Sequence, residues 1–335
     1  MSGHGQGIQG TVPGRRGQEG AGRRVIDYLR ISITDRCNSR CRYCRPSGGG
    51  RRLEGDGPLS LEEIVNFAEA AVDAGVTRVR VTGGEPLVRQ DCSLILRGLA
   101  AVPGIRDLSL TTNGLLLAGR AAALKTAGLS RINISLDSLD PSRYLEITGA
   151  TLKPVLAGIE AALAAGFEPV KVNAVALEGI EGDLSSFVDL TMEKPVHVRF
   201  IEFMPIGHRL GSGIWKFVSR ERLITGLSEF GTLKPVDSPA GAGPARYFRF
   251  DGARGTVGFI SSMSDHFCDS CNRLRLTADG KLRNCLFSDE EVDVRPLIAG
   301  SRAELIAAIT DSMNSKRFSR RGVSPGGRTM AQIGG

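Results

Sequence analysis

From Tyr28 to Phe203 short β-branched apolar runs alternate with stretches of helical periodicity. The runs predict strands over 29–33, 77–82, 107–111, 131–136, 170–176 and 197–203. Helices are predicted between them. The stretch 60–74 opens with Ser60 and Glu63, a capping box, and ends before Gly75. Those over 120–127 and 154–165 stop at Gly128 and Gly166, as C-terminal glycines do. Six strand-then-helix units in series imply parallel strands joined by right-handed crossovers. Six are too few for a complete eight-unit barrel. The pattern predicts an α/β fold: an open partial (β/α)6 barrel of TIM type, or a doubly wound sheet.

After Met204 the rhythm breaks, and Gly, Pro and Ser punctuate the chain. Strands over 246–250, 256–260, 274–276 and 281–284 read as antiparallel, and one clear helix covers 303–313. The expected division is a tail over 1–24, a first domain over 25–210, a smaller α+β domain over 211–315 and a basic, Gly-rich tail over 316–335. The boundary falls near 204–213.

Composition changes this picture only at the ends. Hydrophobic residues make up 41% of the 335 positions and aromatics 5%, so a core must rest on Val, Ile, Leu and Ala. No apolar run reaches the roughly 18 residues that span a bilayer, and no signal peptide is visible. The expectation is a cytoplasmic protein. Residues 1–24 lack apolar periodicity and supply +3 of the net +7, which reads as a solvated tail rather than a transit peptide or nucleic-acid arm.

Seven cysteines in such a chain argue against disulfides. Three lie within 37–44, three within 268–285, and Cys92 stands alone. The first group, Cys37-Asn38-Ser39-Arg40-Cys41-Arg42-Tyr43-Cys44, has C-x3-C-x2-C spacing directly after the first predicted strand. In parallel β/α sheets, sites gather at the C-terminal ends of strands. Three thiolates on one loop can hold three irons of a 4Fe–4S cluster and leave the fourth open. A zinc knuckle is the alternative, but zinc sites favour paired C-x2-C units and a fourth ligand.

This loop resembles the signature of the radical S-adenosylmethionine (SAM) superfamily, whose members have partial or full β/α barrels. The resemblance implies that SAM chelates the open iron and is cleaved to a 5′-deoxyadenosyl radical. Thr82-Gly83-Gly84-Glu85-Pro86, at the end of the second predicted strand, resembles the superfamily's second motif. Glycine there lets backbone approach a ligand closely. The resemblance places Tyr43, Gly84, Ser135 and Met204 against SAM.

Cys268, Cys271 and Cys285 give C-x2-C-x13-C, which fits a second cluster with a free iron or zinc completed by His266. Arg273 and Arg275 alternate on the strand that follows, so both point to one face and suit an anionic substrate. Taken together, the chain from about Tyr28 to Gly335 resembles the GTP 3′,8-cyclase family of molybdenum cofactor biosynthesis. The motifs that carry this are Thr34-Asp35-Arg36-Cys37-Asn38, Arg80-Val81-Thr82-Gly83-Gly84-Glu85-Pro86-Leu87, Leu110-Thr111-Thr112-Asn113-Gly114, Arg131-Ile132-Asn133-Ile134-Ser135-Leu136-Asp137, Lys171-Val172-Asn173, Arg199-Phe200-Ile201-Glu202-Phe203-Met204 and the closing Gly334-Gly335.

The resemblance implies two 4Fe–4S clusters, with GTP held by Arg30, Arg80, Thr111, Lys171, Arg273 and Arg275 and its guanine at the second cluster. A triphosphate carries about four negative charges and suits fixed cations. The product would pass to a cyclic pyranopterin monophosphate synthase. A flavodoxin or ferredoxin would supply electrons, a homodimer is compatible, and neither membrane nor nucleic acid is a partner. Arg45 stands where the family usually has Met, and the loop 47–58 is unusually rich in Gly and Arg. Cys92 fits a buried thiol. Two alternatives remain: another two-cluster radical SAM enzyme such as a peptide maturase, and a zinc-stabilised nucleic-acid binder. Aromatic poverty opposes the latter.

Overall fold

The computed structural model describes residues 24–44, 57–207, 216, 218–239, 243–317 and 327–335. The expected tail up to residue 23, Arg45 with most of the loop 47–58, the centre of the expected boundary and the stretch 318–326 lie outside the described residues.

Strands and helices alternate through the first two thirds. β1 (Tyr28–Ser32), α1 (Leu61–Asp73), β2 (Arg78–Thr82), α2 (Cys92–Ala101), β3 (Asp107–Thr112) and α3 (Ala121–Thr126) come first. Then follow β4 (Arg131–Ser135), α4 (Pro141–Thr148), α5 (Lys153–Ala164), β5 (Val170–Ala176), α6 (Leu184–Glu193) and β6 (Val196–Glu202). The capping box on α1 is formed: the Ser60 side chain accepts from the Glu63 amide, and the Glu63 carboxylate accepts from the Ser60 amide. The chain turns out of α3 through Gly128, whose φ of +93° disfavours a side chain.

The remaining elements are α7 (Arg220–Ser228), β7 (Lys234–Val236), β8 (Arg246–Arg249), β9 (Thr256–Ile260), β10 (Arg273–Leu276), β11 (Lys281–Arg283) and β12 (Val292–Asp293). Helices α8 (Arg295–Ala299), α9 (Arg302–Asn314) and α10 (Met330–Ile333) end the chain. All twelve strands form one sheet in the order β12-β11-β10-β1-β2-β3-β4-β5-β6-β9-β8-β7. The six strands β1–β6 run parallel in chain order.

The expectation of antiparallel C-terminal strands needs correction. β10 lies parallel to β1, and β9 lies parallel to β6. Only the outer hairpins, β7–β8–β9 and β10–β11–β12, are antiparallel. The segment after Met204 therefore builds no sheet of its own; it extends both edges of the first. Both joining strands are largely buried, which suits interior positions in the sheet.

Alternation along the strands separates two faces. Leu29, Ile31, Val79, Val81, Leu110, Ile132, Ile134, Val172 and Val198 are wholly buried and belong to one apolar core with Ile64, Phe67, Leu96 and Ile159 of the helices. Each is worth about 1.5–3 kcal/mol over exposure. The opposite face is polar: Arg30 pairs with Arg80, Arg80 with Ser109, Thr111 with Asn133, Asn133 with Lys171 and Asn173 with Arg199. The helix-facing side supplies the burial, leaving the polar side available for chemistry.

Candidate functional site

Cys37, Cys41 and Cys44 follow the C-terminal end of β1 on a loop tied down on three sides. The Gly84 amide donates to the Thr34 carbonyl (2.7 Å) and the Glu85 amide to the Arg36 carbonyl (2.8 Å). The Arg40 and Arg42 amides donate to the Thr148 and Ile147 carbonyls at the end of α4 (2.8 and 2.9 Å). Asn113, beyond β3, donates to the Asn38 side chain at 2.8 Å and approaches the Cys37 sulfur at 3.8 Å. The Tyr43 hydroxyl donates to Asp137, beyond β4, at 2.8 Å.

This explains the two glycines differently from the reading of the sequence. A Cβ on Gly83 would lie 2.6 Å from the Thr34 carbonyl oxygen, and one on Gly84 2.5 Å from that of Arg36. The backbone that approaches them is the cysteine loop. The Gly84 and Glu85 amides are spent on that loop, which leaves the Gly83 and Gly84 carbonyls as groups able to accept from an ammonium. Glu85 is buried and accepts from the Leu87 and Asn113 amides and the Thr112 hydroxyl. Burial outweighs these bonds and pushes its carboxyl up to about 7.

The second triplet sits at the other end of the same strands. Cys271 lies two residues before β10, and the Tyr28 amide at the start of β1 donates to the Asn272 carbonyl at 3.2 Å. β11 runs back antiparallel, which returns Cys285 to that end. The four steps from Tyr28 to Ser32, at about 3.3 Å each, separate the two ends of β1 by about 13 Å. Arg24 ties the second site together, donating to the Cys268 carbonyl (2.7 Å) and the Lys316 carbonyl (2.8 Å). Burial raises the Cys271 thiol, but Arg273 and Lys316 outweigh it and bring it down to about 6.

Between the triplets lies the polar face. Burial first, then Arg275 and Arg80, hold the Arg30 guanidinium well below its ordinary range. Burial and Arg273 bring Arg275 down to about 10. Lys171 falls to about 6 through burial and the charges of Arg199, Arg131 and Arg80. Its ammonium donates to the Pro239 carbonyl at 3.4 Å. Arg273 lies over the Phe267 ring, 4.9 Å from its centre. Among the described residues, no Asp or Glu side chain pairs with Arg30, Arg80, Arg199, Arg273 or Arg275. The Arg30 Nε and the Thr111 hydroxyl are buried without a hydrogen-bond partner. Buried cations without counter-charge are costly and call for an anionic ligand.

Two members of this face stand in motifs noted in the sequence but were given no ligand role there. Arg199 donates to Asn173 and to Asn133, both at 2.8 Å, and Arg131 pairs with Asp107. The signal was the strict alternation in Arg131-Ile132-Asn133-Ile134-Ser135 and Val198-Arg199-Phe200. Ser135 ends β4 and is partly exposed. Met204, after β6, packs in a small cluster with Ile206, Phe287, Ile333 and Cys285. The C-terminal Gly334 and Gly335 carbonyls accept from Arg275 and Arg30.

The donor sets fit iron–sulfur clusters. Burial, Asp137 and the neighbouring Cys44 and Cys37 hold the Cys41 thiol far above its ordinary value, a penalty that metal binding removes by taking the thiolate. His266 interacts with the Ser262 carbonyl at 3.0 Å, and among the described residues no three His, Cys, Asp or Glu side chains converge on one metal-ion position.

Comparison with known proteins agrees with this geometry. Residues 31–189 match the Radical SAM superfamily, and residues 196–321 match Molybdenum Cofactor Synthesis C. A protein named GTP 3′,8-cyclase from Pelotomaculum thermopropionicum is 48% identical over 319 residues, 93% of this chain and 98% of its own length. One from Listeria monocytogenes is 46% identical over 325 residues, 93% and 97% of the two chains. Among solved structures, Streptococcus suis SuiB bound to S-adenosylmethionine superposes with a TM-score of 0.61 at 15% identity, covering 86% of this chain and 68% of that one. AdoMet-bound anSMEcpe gives 0.58 at 14% identity, over 85% and 82%. At such identities these structures speak for the fold alone.

Proposed function

The chain belongs to the GTP 3′,8-cyclase family of radical SAM enzymes, and from that premise we propose how its residues divide the work. The enzyme acts in molybdenum cofactor biosynthesis, with SAM and an iron–sulfur cluster as cofactors. The proposed assignment gives Cys37, Cys41 and Cys44 to a first 4Fe–4S cluster and Cys268, Cys271 and Cys285 to a second. When bound, SAM and the first cluster supply the radical that abstracts hydrogen.

The observation that carries the reading is a cationic face, five of whose arginines have no Asp or Glu partner among the described residues, between two cysteine sites at opposite ends of the same strands. The charges support a partial barrel. Neighbouring strands lie about 4.8 Å apart, so Arg80 on β2 and Arg199 on β6 would stand about 19 Å apart on a flat sheet. Yet each lies within the other's field, as do Lys171 and Arg80, which supports a sheet curled around its polar side.

Arg30, Arg80 and Lys171 would hold the triphosphate, with Thr111 offering its spare hydroxyl. Arg273 and Arg275 would set the guanine end beside the second cysteine site. Held at both ends, the nucleotide presents its ribose 3′-hydrogen towards the first site and carbon 8 of guanine to carbon 3′. Reacting atoms must come within roughly 3–3.5 Å, so this orientation is the protein's main contribution. Tyr43, the Gly84 carbonyl, Ser135 and Met204 would line the SAM side. A peptide substrate would leave the cation row without a partner.

The product would pass to a cyclic pyranopterin monophosphate synthase, and a flavodoxin or ferredoxin would supply electrons. A homodimer is compatible. A cytoplasmic location suits seven free cysteines. The test is anaerobic iron and sulfide analysis followed by nucleotide titration. Roughly eight irons per chain, and a spectrum of the C-terminal cluster that GTP shifts and ATP does not, are expected. Four irons, or equal response to ATP, would overturn the assignment.

A further inference from the structure

The cysteine loop after β1 interleaves arginines with its thiols: Arg36, Arg40 and Arg42 alternate with Cys37, Cys41 and Cys44. All three arginines are exposed, while Ser39 between them is buried. The face is pre-organised rather than loose, because the Arg36 carbonyl and the Arg40 and Arg42 amides are all held in backbone hydrogen bonds. Gly149 closes the neighbouring helix end at φ +66°, and a Cβ there would lie 3.3 Å from the Arg40 Cβ. Arg42 pairs with Glu146 at 3.2 Å, a solvent-exposed contact of little energy. Among the described residues no carboxylate pairs with Arg36 or Arg40.

None of these side chains belongs to the cationic face inside the sheet, so substrate binding does not account for them. Their position does: they flank Cys37, Cys41 and Cys44 along the loop and are exposed to solvent. From this geometry we propose that Arg36, Arg40 and Arg42 form the docking face for an acidic one-electron carrier protein. The proposal rests on the assignment of Cys37, Cys41 and Cys44 to the first cluster. One electron leaves the reduced carrier, which is oxidised by one electron, and enters the site the three cysteines hold. Opposed charges steer such encounters and raise association rates by roughly ten- to a thousandfold, falling steeply with salt.

The test compares two reductants on the same anaerobically loaded enzyme. An acidic flavodoxin, kept reduced by its reductase and NADPH, needs the face; dithionite does not. In Arg36→Gln/Arg40→Gln/Arg42→Gln, flavodoxin-driven formation of 5′-deoxyadenosine should fall about tenfold or more at low salt, with iron content and the dithionite-driven rate unchanged. In the wild-type enzyme, raising the salt should slow the flavodoxin-driven rate much more than the dithionite-driven one. An unchanged flavodoxin rate in the variant, or equal losses with both reductants, would overturn the docking face. So would a wild-type flavodoxin rate insensitive to salt, should the variant fail to fold. A wild-type enzyme that holds no iron at the first site would instead overturn the cluster assignment itself.

Discussion

Nη1 of Arg275 donates to the Gly334 carbonyl at 3.0 Å, across 59 positions of sequence. Arg30 likewise reaches Gly335. The end of the chain thus enters the row of cations assigned to GTP, held there by its own anchors. Arg328 pairs with Asp279 and Glu291, Thr329 and Gln332 close a capping box, and Ile333 is buried. The basic, Gly-rich tail expected over 316–335 ends in an ordered contact.

Gly334 fits where a larger residue would not. Its φ is +80°, and a Cβ would lie 2.5 Å from the Thr82 hydroxyl and 2.8 Å from the Ser32 Cβ. A left-handed alanine costs about 1–2 kcal/mol, or roughly tenfold in docking. Gly334→Ala, or removal of both glycines, should lower cyclisation about tenfold or more and leave the melting temperature nearly unchanged. Full activity in the truncated protein would mean the contact is incidental.

The two cysteine triplets should fail differently. Changing Cys37, Cys41 or Cys44 to Ala should abolish 5′-deoxyadenosine formation. Changing Cys268, Cys271 or Cys285 should spare the first site, remove about half the iron and weaken GTP binding. A second-triplet variant that loses zinc and keeps its iron would revive the zinc alternative.

Arg275 is buried among like charges, so its removal trades function against stability. Arg275→Met should cost about tenfold to a hundredfold in turnover at limiting GTP, the worth of a charge-assisted hydrogen bond. Relief of repulsion from Arg273 and Arg30 should offset the lost contacts, so thermal unfolding of the free protein should not move down. A large drop in melting temperature with turnover intact would reverse the assignment.

Lys171 yields a pH signature. Its folded value near 6 lies below the ordinary 10.5, so the folded protein holds fewer protons than the unfolded chain between those limits. Its contribution to stability therefore rises with pH across that window and is least favourable below pH 6. Phosphate charge beside it should restore the ammonium. Calorimetry at pH 7.5 in buffers of different ionisation enthalpy should show proton uptake on GTP binding, absent in Lys171→Met. Affinity should fall as pH rises above 6. Buffer-independent heats would contradict the placement of Lys171 at the triphosphate.

Much of this was legible along the chain. β5 and β9 begin and end as the pattern predicts, and the capping box at Ser60 and Glu63 forms as expected. Both triplets stand out by spacing, because ligand spacing is local. What local pattern does not encode is partnership. The run at Leu274–Leu276 looks the same whether its neighbour is β11 or β1, so the parallel joins at both sheet edges stayed hidden. Arg199 was given no role because one cation on a strand carries no sign of the other cations facing it. Gly83 and Gly84 pointed to close approach, but only the fold reveals that the approaching group is the Thr34–Arg36 backbone.

The central claim is that GTP lies along the cationic face with its ribose turned towards the first cysteine site. Anaerobic turnover with GTP deuterated at carbon 3′ tests it most directly, through mass analysis of the 5′-deoxyadenosine released. Deuterium in the 5′-deoxyadenosine, in step with formation of the cyclised nucleotide, is the predicted result. Unlabelled 5′-deoxyadenosine at full turnover would contradict it, because the abstracted hydrogen would then come from another atom.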